Sequence, residues 1–257
     1  MKKSVYFANL APLRALFHEG VPVICYHKIA RKPLRAKSRG IYVSPTLFQR
    51  QMRELRDDGF QSITLDECGA TSSPNDQKHV ILTFDDGSVT TLRGAMPALA
   101  AAGFTAIQFL VAGLLGGRNE WDIAKGEVPD RLMDEAQAHD WLAAGHQIGS
   151  HTLSHPHLSQ LPLPKAREEI SSSKKLLEDR FGLPVRHFCY PYGDFSIPVR
   201  DLVAEAGYHT AVTTKPGVWH PGGDQFLIRR VSARADSLNF RNIFRRLTGR
   251  GLSKGIL

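Results

Sequence analysis

Short apolar segments alternate with amphipathic segments along most of the chain, and this alternation is the feature that most constrains its fold. Residues 80–84 form a continuous apolar run, which is typical of a strand buried on both faces. Residues 45–58 instead carry Phe48 and Met52 at helical spacing and end at Gly59. Strands separated by helices in this rhythm predict βαβ units and a parallel sheet.

The number of such units favours a closed barrel over an open sheet. Strands are predicted at residues 21–26, 80–84, 105–111, 147–149, 187–190 and 209–213, with a further one ending near 229–230, and helices at residues 45–58, 92–102, 132–144, 165–181 and 199–206. No internal repeat or low-complexity linker divides the chain, so one domain is expected. We therefore predict an α/β fold, a single-domain (β/α) barrel of about seven strands with its core at about residues 21–235.

The composition is that of a globular protein. Of the 257 residues, 42% are hydrophobic and 23% are charged, which predicts a sizeable core and argues against disorder. No segment has the roughly 20 consecutive apolar residues that cross a bilayer. The N-terminus carries Asn9 and Pro12 and lacks a clean cleavage site, so we expect no signal peptide. Three widely spaced cysteines form no disulfide framework, and together these features favour a cytoplasmic location.

The chain is basic, with a formal net charge of +8. Basic residues concentrate at residues 31–39 and in a C-terminal tail at residues 236–257. No nucleic-acid-binding motif accompanies them, so we expect no nucleic-acid partner. The tail mixes arginines with apolar residues, as in a basic amphipathic segment that lies on an anionic membrane. A last helix that packs on the barrel with a solvated arginine face explains the same pattern, and both interpretations stay open.

Side chains suited to metal chemistry follow two of the predicted strands. Asp85 and Asp86 end the 80–84 strand, and their consecutive side chains diverge, so one could bind an ion while the other lies beside it. His151 and His155 are four residues apart, so one helical turn would place both imidazoles on a common face. Two histidines and one carboxylate leave an open position for water, as catalytic zinc sites do. A plain turn and a polar surface loop explain each segment taken alone.

Three segments in order resemble motifs of one known family. Residues 83–87 read Thr-Phe-Asp-Asp-Gly, residues 150–155 read Ser-His-Thr-Leu-Ser-His, and residues 190–193 read Tyr-Pro-Tyr-Gly. They are similar to the motifs of the polysaccharide deacetylases, the NodB-like carbohydrate esterase family four, and the similarity runs over about residues 26–231. The resemblance implies a distorted (β/α) barrel and metal-dependent removal of N- or O-acetyl groups from sugars.

The resemblance also implies roles for individual residues. Asp85 would be the catalytic base, and the ion would be held by Asp86, His151 and His155. The segment Pro191-Tyr192 would line the sugar groove, with the Tyr192 backbone N–H helping to hold the oxyanion. Zinc is the ion that this ligand set favours most, and nickel, cobalt or iron(II) would also accept it. An acetylated carbohydrate is therefore the expected partner.

Two departures from the family pattern leave roles to be filled. The arginine that orients the base in the family falls near Cys189, and the usual C-terminal Leu-x-His motif is missing. However, Cys-Tyr-His at residues 25–27 is similar to a branch of the family in which that motif lies at the N-terminus. We therefore predict that His27 is the general acid, and that Arg229 or Arg230 orients the base.

Two tryptophans lie in predicted loops. Trp121 follows the 105–111 strand and could stack on a sugar ring or anchor its loop. Trp219, with His220, belongs to a late loop and could cover the sugar groove.

Three functions are compatible with this pattern. The first is a metal-dependent hydrolase that removes N-acetyl groups from a poly- or oligosaccharide, for which a biosynthetic or lipid-linked glycan is one candidate. The second keeps the barrel and the ion but acts as a deformylase or a cyclic amidohydrolase. The third is a catalytically silent sugar-binding protein, which the missing arginine and C-terminal histidine would favour. Retention of the base and of all three metal ligands argues against silence.

Overall fold

The computed structural model describes residues 20–38, 40–68 and 78–233. In chain order the strands are β1 (Val23–Tyr26), β2 (Lys28–Ile29), β3 (Tyr42–Val43), β4 (Gln61–Ser62), β5 (His79–Phe84), β6 (Ile107–Leu110), β7 (Gln147–Ser150), β8 (His187–Cys189), β9 (Thr210–Pro216) and β10 (Ile228–Ser232). The α-helices are α1 (Pro45–Asp57), α2 (Leu65–Cys68), α3 (Thr90–Gly94), α4 (Met96–Ala102), α5 (Glu120–Ile123), α6 (Glu135–Ala143), α7 (Leu163–Phe181) and α8 (Ile197–Glu205).

Seven parallel strands close into a barrel. They follow the order β1-β10-β9-β8-β7-β6-β5, and β5 then pairs with β1, so that Val23 lies opposite Ile81 and Tyr26 lies opposite Phe84. The short strand β4 pairs with the start of β5, and β2 and β3 form a separate two-stranded sheet. The predicted single-domain (β/α) barrel of about seven strands is therefore confirmed.

The barrel strands divide their side chains between two cores. Successive residues of a strand point to opposite faces of the sheet. On the outer face, Ile24, Leu82 and Phe188 belong to the large cluster that packs against the helices. On the inner face, Val23 and Ile81 belong to a smaller cluster inside the barrel. Continuous apolar strands in the sequence are thus explained by burial on both faces.

The N-terminal end of the barrel is closed by Trp219. Its backbone exchanges two hydrogen bonds with Val21, just before β1, and its side chain is only 7% exposed in the inner cluster. Leu65 and Cys68 of α2 belong to the same cluster. The prediction that Trp219 covers a sugar groove is wrong, because the loop from β9 to β10 returns to the opposite end of the barrel from the strand ends that carry the predicted site.

Helix boundaries follow local capping. Helix α1 begins after Ser44, whose hydroxyl accepts a hydrogen bond from the Leu47 N–H. Helix α6 begins later than the predicted 132–144 because Asp134 and Gln137 form a capping box there. Leu132, two residues before Asp134, instead forms an antiparallel bridge with Ser88. This bridge fastens the loop before α6 to the end of β5.

The helix predicted at residues 92–102 is divided into α3 and α4. The break lies at Ala95, and Pro97, which lacks a backbone N–H, follows in the first turn of α4. Gly94 lies so close to β2 that a Cβ there would be 2.3 Å from the Ile29 carbonyl oxygen. The predicted stop at Gly103 is confirmed by its left-handed conformation.

The terminal segments lie outside the described residues. They include the predicted basic tail at residues 236–257 and the N-terminal residues considered as a signal peptide. Among the helices that the structure describes, none combines the length and the hydropathy needed to span a bilayer.

Candidate active site

The C-terminal ends of the barrel strands bring the predicted site residues together. Asp85 and Asp86 follow β5, and His151 follows β7 directly. His27 follows β1, and Arg230 lies within β10, which pairs with β1. Since parallel strands of a barrel end on one face, residues more than 100 positions apart in sequence become neighbours there.

The two histidines of the predicted metal site lie in a loop, so the prediction of a helical turn is wrong. Thr152 and His155 both adopt left-handed backbone conformations, with φ of 68° and 66°. The Thr152 hydroxyl accepts a hydrogen bond from the His155 N–H at 3.0 Å. This curled loop, rather than helical periodicity, directs both imidazoles to one point.

That point is the carboxylate of Asp86. The Nε2 atoms of His151 and His155 lie 3.5 Å and 3.4 Å from the same Asp86 oxygen, Oδ1. One ligand atom from each of the three residues lies within 4.8 Å of the other two. All three residues are buried. His151 is fixed by a 2.7 Å hydrogen bond between its Nδ1 and the Cys189 carbonyl, which leaves Nε2 free to bind an ion.

The charges of this cluster suit a divalent cation. Burial lowers the pKa of His155 to about 4, although Asp86 opposes that shift, so the imidazole is neutral at neutral pH and able to bind a metal. Burial would raise the pKa of Asp86, but hydrogen bonds with His151 and His155 outweigh it and hold this pKa well below its ordinary value. One carboxylate oxygen and two imidazole nitrogens form a donor set that zinc accepts. The residues therefore fit a catalytic metal ion.

Asp85 is directed away from this cluster, toward the barrel interior. Both of its carboxylate oxygens accept hydrogen bonds from Arg230, at 2.8 Å and 2.7 Å. The same guanidinium donates to the hydroxyl of Thr83 and to the backbone carbonyl of Thr213. Arg230 is fully buried, whereas Arg229 is exposed and its side chain packs over Gly217. Of the two arginines predicted to orient the base, only Arg230 contacts Asp85.

Arg230 determines the electrostatics of Asp85. Burial would raise the pKa of the Asp85 carboxyl, but the charge and the hydrogen bonds of Arg230 outweigh it and hold this pKa well below its ordinary value. Cys25 and Cys189 flank the pair, with their Sγ atoms 3.4 Å from Asp85 Oδ2 and 3.3 Å from Arg230 Nη2. Burial raises the pKa of both thiols. They are therefore neutral neighbours of the ion pair.

Two other groups of metal-binding side chains occur among the described residues, and both include Asp85. One adds Cys25 and His27, and the other adds His151 and Cys189. Because Arg230 occupies both oxygens of Asp85, these groups offer a cation less than the Asp86 cluster does.

His27 lies at the opening of the site. Its Nε2 is 3.8 Å from Asp85 Oδ2, and 23% of its side chain is exposed. Its Nδ1 lies 3.9 Å from the Sγ of Cys25. The imidazole therefore stands beside the carboxylate and retains access to a bound molecule.

The segment after β8 forms another side of the site. Pro191 is buried, and Tyr192 adopts a left-handed backbone conformation with φ of 59°. Gly193 follows with φ of 67°, and a Cβ there would lie 2.0 Å from the Thr214 hydroxyl oxygen, so only glycine fits. The Tyr192 ring is partly exposed and stacks on His157, with 3.9 Å between ring centroids.

The structure places Trp121 against a metal-site histidine. Its ring stacks on the imidazole of His155, with 4.2 Å between centroids and 18° between planes. Trp121 lies between β6 and β7 as predicted, but in the short helix α5 rather than in a loop, and one face of its indole is covered by protein. That Trp121 stacks on a sugar ring stays a prediction. Such stacking would have to use the second face of the indole.

Several contacts of the site residues were not predicted from the sequence. Thr83 and Cys25 contact the Asp85–Arg230 pair, and His157 stacks on Tyr192. The period of two along a strand could have found the first of these, because Thr83 precedes Asp85 by two positions and shares its face. No local pattern indicates the His157 contact, which depends on the loop after β7.

Comparison with known proteins gives a consistent result. The model of the family described as polysaccharide deacetylase matches residues 72–211. YxkH of Bacillus subtilis, whose name places it among the polysaccharide deacetylases, is 26% identical over 214 residues, which cover 82% of this chain and 70% of that protein. The peptidoglycan-N-acetylglucosamine deacetylase of Bacillus cereus is 27% identical over 167 residues, covering 64% and 71% of the two chains.

A solved structure shows the same fold. The Streptococcus pyogenes deacetylase PplD, in complex with acetate, superposes with a TM-score of 0.74 at 22% sequence identity. The match covers 88% of this chain and 98% of that chain.

Proposed function

The chain belongs to the polysaccharide deacetylase family, and from that premise we propose that it is a metal-dependent hydrolase that removes N-acetyl groups from a carbohydrate. The observation that carries this proposal is the division of two adjacent carboxylates. Asp86 meets two imidazoles, while Asp85 is held ionised by Arg230 and faces His27. A cation site and an acid–base pair thus lie side by side at one end of the barrel, as amide hydrolysis requires.

The ion would be held by Asp86, His151 and His155, with zinc as the expected metal and nickel, cobalt or iron(II) as alternatives. When bound, it would supply Lewis acidity, which polarises an acyl carbonyl and lowers the pKa of a bound water toward about 7. The His151–Cys189 hydrogen bond orients one ligand before any ion arrives.

Asp85 is proposed to be the general base. It takes a proton from the attacking water as the water oxygen bonds to the acyl carbon. The low pKa of this carboxylate keeps it ionised near neutrality, although it also makes it a weaker base. Arg230 fixes both oxygens, so its main contribution is to hold the carboxylate in one orientation.

His27 is proposed to be the general acid. It gives a proton to the nitrogen as the C–N bond breaks, so that the products are acetate and the free amino sugar. The Tyr192 backbone N–H is proposed to help hold the oxyanion, and Pro191 and Tyr192 to line the sugar groove. Supporting this, the segment containing both residues borders the metal cluster, since the Tyr192 ring meets the His155 ring edge-on at 4.6 Å between centroids.

The proposed substrate is an N-acetylated poly- or oligosaccharide. The relative from Bacillus cereus is named for a peptidoglycan N-acetylglucosamine substrate, which supports this substrate class. We propose the same chemistry here on a cell-envelope or lipid-linked glycan.

Acetate release tests the proposal. Metal-reconstituted protein is incubated with a panel of N-acetylated amino sugars and oligomers, and chelator-treated protein is the control. We expect acetate from at least one oligosaccharide, with activity lost on chelation and restored by zinc. Release of formate from formylated analogues alone, or opening of a cyclic amide alone, would replace the proposal with the corresponding hydrolase. Stoichiometric metal and sugar binding without turnover would establish a silent binding protein.

We also propose that the protein contacts an anionic membrane from the catalytic end of the barrel. The C-terminal tail predicted for this role lies outside the described residues. Leu34, Leu163 and Ile197 are exposed by 103%, 49% and 61%, and all three lie in segments that follow C-terminal strand ends. The exposed Arg31 and Arg35 flank the first of them, a combination suited to lipid headgroups.

Flotation with vesicles tests this contact. We expect binding to vesicles that contain phosphatidylglycerol at low salt and no binding to neutral phosphatidylcholine vesicles. Leu34→Glu should weaken binding. The absence of binding to anionic vesicles at low salt would contradict the proposal.

A further inference from the structure

We propose that Trp121 is a positioning residue for the metal ligand His155. The indole would hold this imidazole by ring stacking in place of the hydrogen bond that usually fixes a metal-binding histidine. The inference rests on the metal site of the proposed function. It concerns the affinity of that site, so it is testable without a known substrate.

The two histidine ligands are oriented by different means. The Nδ1–H of His151 donates a 2.7 Å hydrogen bond to the Cys189 carbonyl, the arrangement by which proteins commonly fix a ligand ring. The Nδ1 of His155 is buried and has no hydrogen-bond partner among the described residues. No protein hydrogen bond at Nδ1 therefore fixes the rotation of the His155 ring.

Two aromatic rings contact the His155 imidazole instead. Trp121 covers one face of the His155 ring, 4.2 Å away and within 18° of parallel. Tyr192 meets the same ring edge-on, at 4.6 Å and 77°. Stacked and edge-to-face contacts of this kind favour particular ring orientations. Together they restrict the imidazole to the plane in which Nε2 faces Asp86.

The segment that carries Trp121, which includes helix α5, is itself firmly attached. Asn119, at the start of α5, is 1% exposed, and its side-chain oxygen accepts a 2.6 Å hydrogen bond from the Asp130 N–H. The Met133 N–H donates to the carbonyl of Gly87, next to the paired carboxylates, at 2.8 Å. The segment that carries the indole is thus held by hydrogen bonds within itself and by one to the residues that follow β5.

The proposed role in positioning His155 differs in its consequences from binding of a sugar ring by the indole, the role of a platform residue. A platform residue contributes through substrate binding, so its loss raises KM and leaves the affinity for metal unchanged. A positioning residue contributes through the ligand that it holds, so its loss weakens metal binding in the absence of any sugar. A metal titration therefore distinguishes the two roles, because only the loss of a positioning residue lowers the affinity for metal.

The experiment compares Trp121→Ala, Trp121→Phe and the wild-type protein after metal removal. Zinc affinity is measured by competition with a chromophoric chelator, and cobalt(II) is added to record the visible absorption of the site. We expect Trp121→Ala to bind zinc about 10–100-fold more weakly, the usual cost of removing a residue that orients a ligand. Its cobalt spectrum should also change, because His155 is less ordered. Trp121→Phe retains a stacking ring and should recover most of the affinity.

The control is Trp219→Phe, a tryptophan change at the other end of the barrel, which should leave zinc affinity unchanged. Equal zinc affinity and an unchanged cobalt spectrum in Trp121→Ala would overturn the inference, and a raised KM in that variant would assign the residue to sugar binding. Failure of the wild-type protein to bind zinc or cobalt would instead refute the metal site itself. If Trp121→Ala does not fold, Trp121→Phe and Trp121→Leu provide the same comparison.

Discussion

The two adjacent carboxylates of the site occupy contrasting surroundings. On the base side, the protein itself supplies the counter-charge, since Arg230 donates to both oxygens of Asp85 from a fully buried position. On the metal side, Asp86 faces two imidazoles at 3.4–3.5 Å, and the Nδ1 of His155 has no partner among the described residues. The base side is complete as a charge pair, whereas the metal side is proposed to be completed by a cation.

One turn after a strand thus directs two adjacent carboxylates into different surroundings. Asp86 has φ of 73°, a left-handed conformation that turns its side chain away from the direction taken by Asp85. The first carboxylate enters the barrel, and the second meets the loop after β7. The base side and the metal side should therefore respond differently to substitution.

The largest effect should come from changing each carboxylate in turn. We expect Asp85→Asn to lower deacetylation by at least about 10²–10⁴-fold, the contribution of a positioned base, while metal content stays near stoichiometric. Asp86→Ala should abolish both activity and metal binding, because it removes one of three ligands. Metal analysis and acetate release on the same samples provide the measurement. Loss of metal from Asp85→Asn would contradict the division between the two sides.

His27→Ala should lower kcat by roughly 10²–10⁴-fold with little change in KM, because an amine leaves poorly unless it is protonated. The metal should be retained, since His27 lies on the base side, 3.8 Å from Asp85. His220→Ala, an exposed histidine next to Trp219 at the far end of the barrel, is the control. A wild-type kcat in His27→Ala would remove this residue from the mechanism.

The stability of the Arg230→Met variant tests whether Arg230 compensates the buried charge of Asp85. At pH 7 we expect the free energy of unfolding to fall by about 3–5 kcal/mol, because Asp85 is left as an uncompensated buried charge. In the wild type, Arg230 holds the pKa of Asp85 below its unfolded value, so the pair stabilises the fold above about pH 4 and less below it.

Without Arg230, burial raises the pKa of Asp85, so the stability deficit should shrink as the pH falls through that raised value. Urea denaturation at pH 7 and pH 5 measures this dependence. Adding Asp85→Asn to Arg230→Met should recover stability, and zinc affinity should change little. A deficit that is equal at both pH values and is not recovered in the double variant would contradict the assigned ion pair.

The smallest effect should come from Cys189→Ser. The thiol is a neutral neighbour of Arg230 at 3.3 Å, and serine offers the guanidinium a similar acceptor. We expect a change in stability of about 1 kcal/mol or less, the net value of one hydrogen bond, with activity within about threefold of the wild type. A loss as large as that of Asp85→Asn would show that the thiol takes part in the reaction.

Much of the fold was predictable because it depends on local patterns. Continuous apolar runs predicted the barrel strands, and glycine at positions such as Gly103 marked the ends of helices. The errors lie where tertiary contacts override the pattern. Gly94 and Pro97 divide one predicted helix because Gly94 packs against β2, and β2, β3 and β4 have only two residues each, too short for a period to appear.

The residues that form the candidate site were more predictable from the sequence than their arrangement. His151 and His155 were identified by spacing, yet they converge through a left-handed loop rather than a helical turn. Arg229 and Arg230 were equivalent in sequence, and the alternation of β10 decides between them by pointing only Arg230 into the barrel. Trp121 was predicted in a loop but lies in the short helix α5, and its contact with His155 depends on how the segment between β6 and β7 is fastened.

The sequence by itself determined the barrel, the two carboxylates after β5 and the histidines after β7, because the period of a strand and the order of motifs are local properties. Only the tertiary structure decided which arginine compensates Asp85 and which ring holds His155. These contacts join residues 145 and 34 positions apart. Closure of the barrel brings β10 beside β1 and faces Arg230 to Asp85 across its interior, and no local pattern encodes that distance.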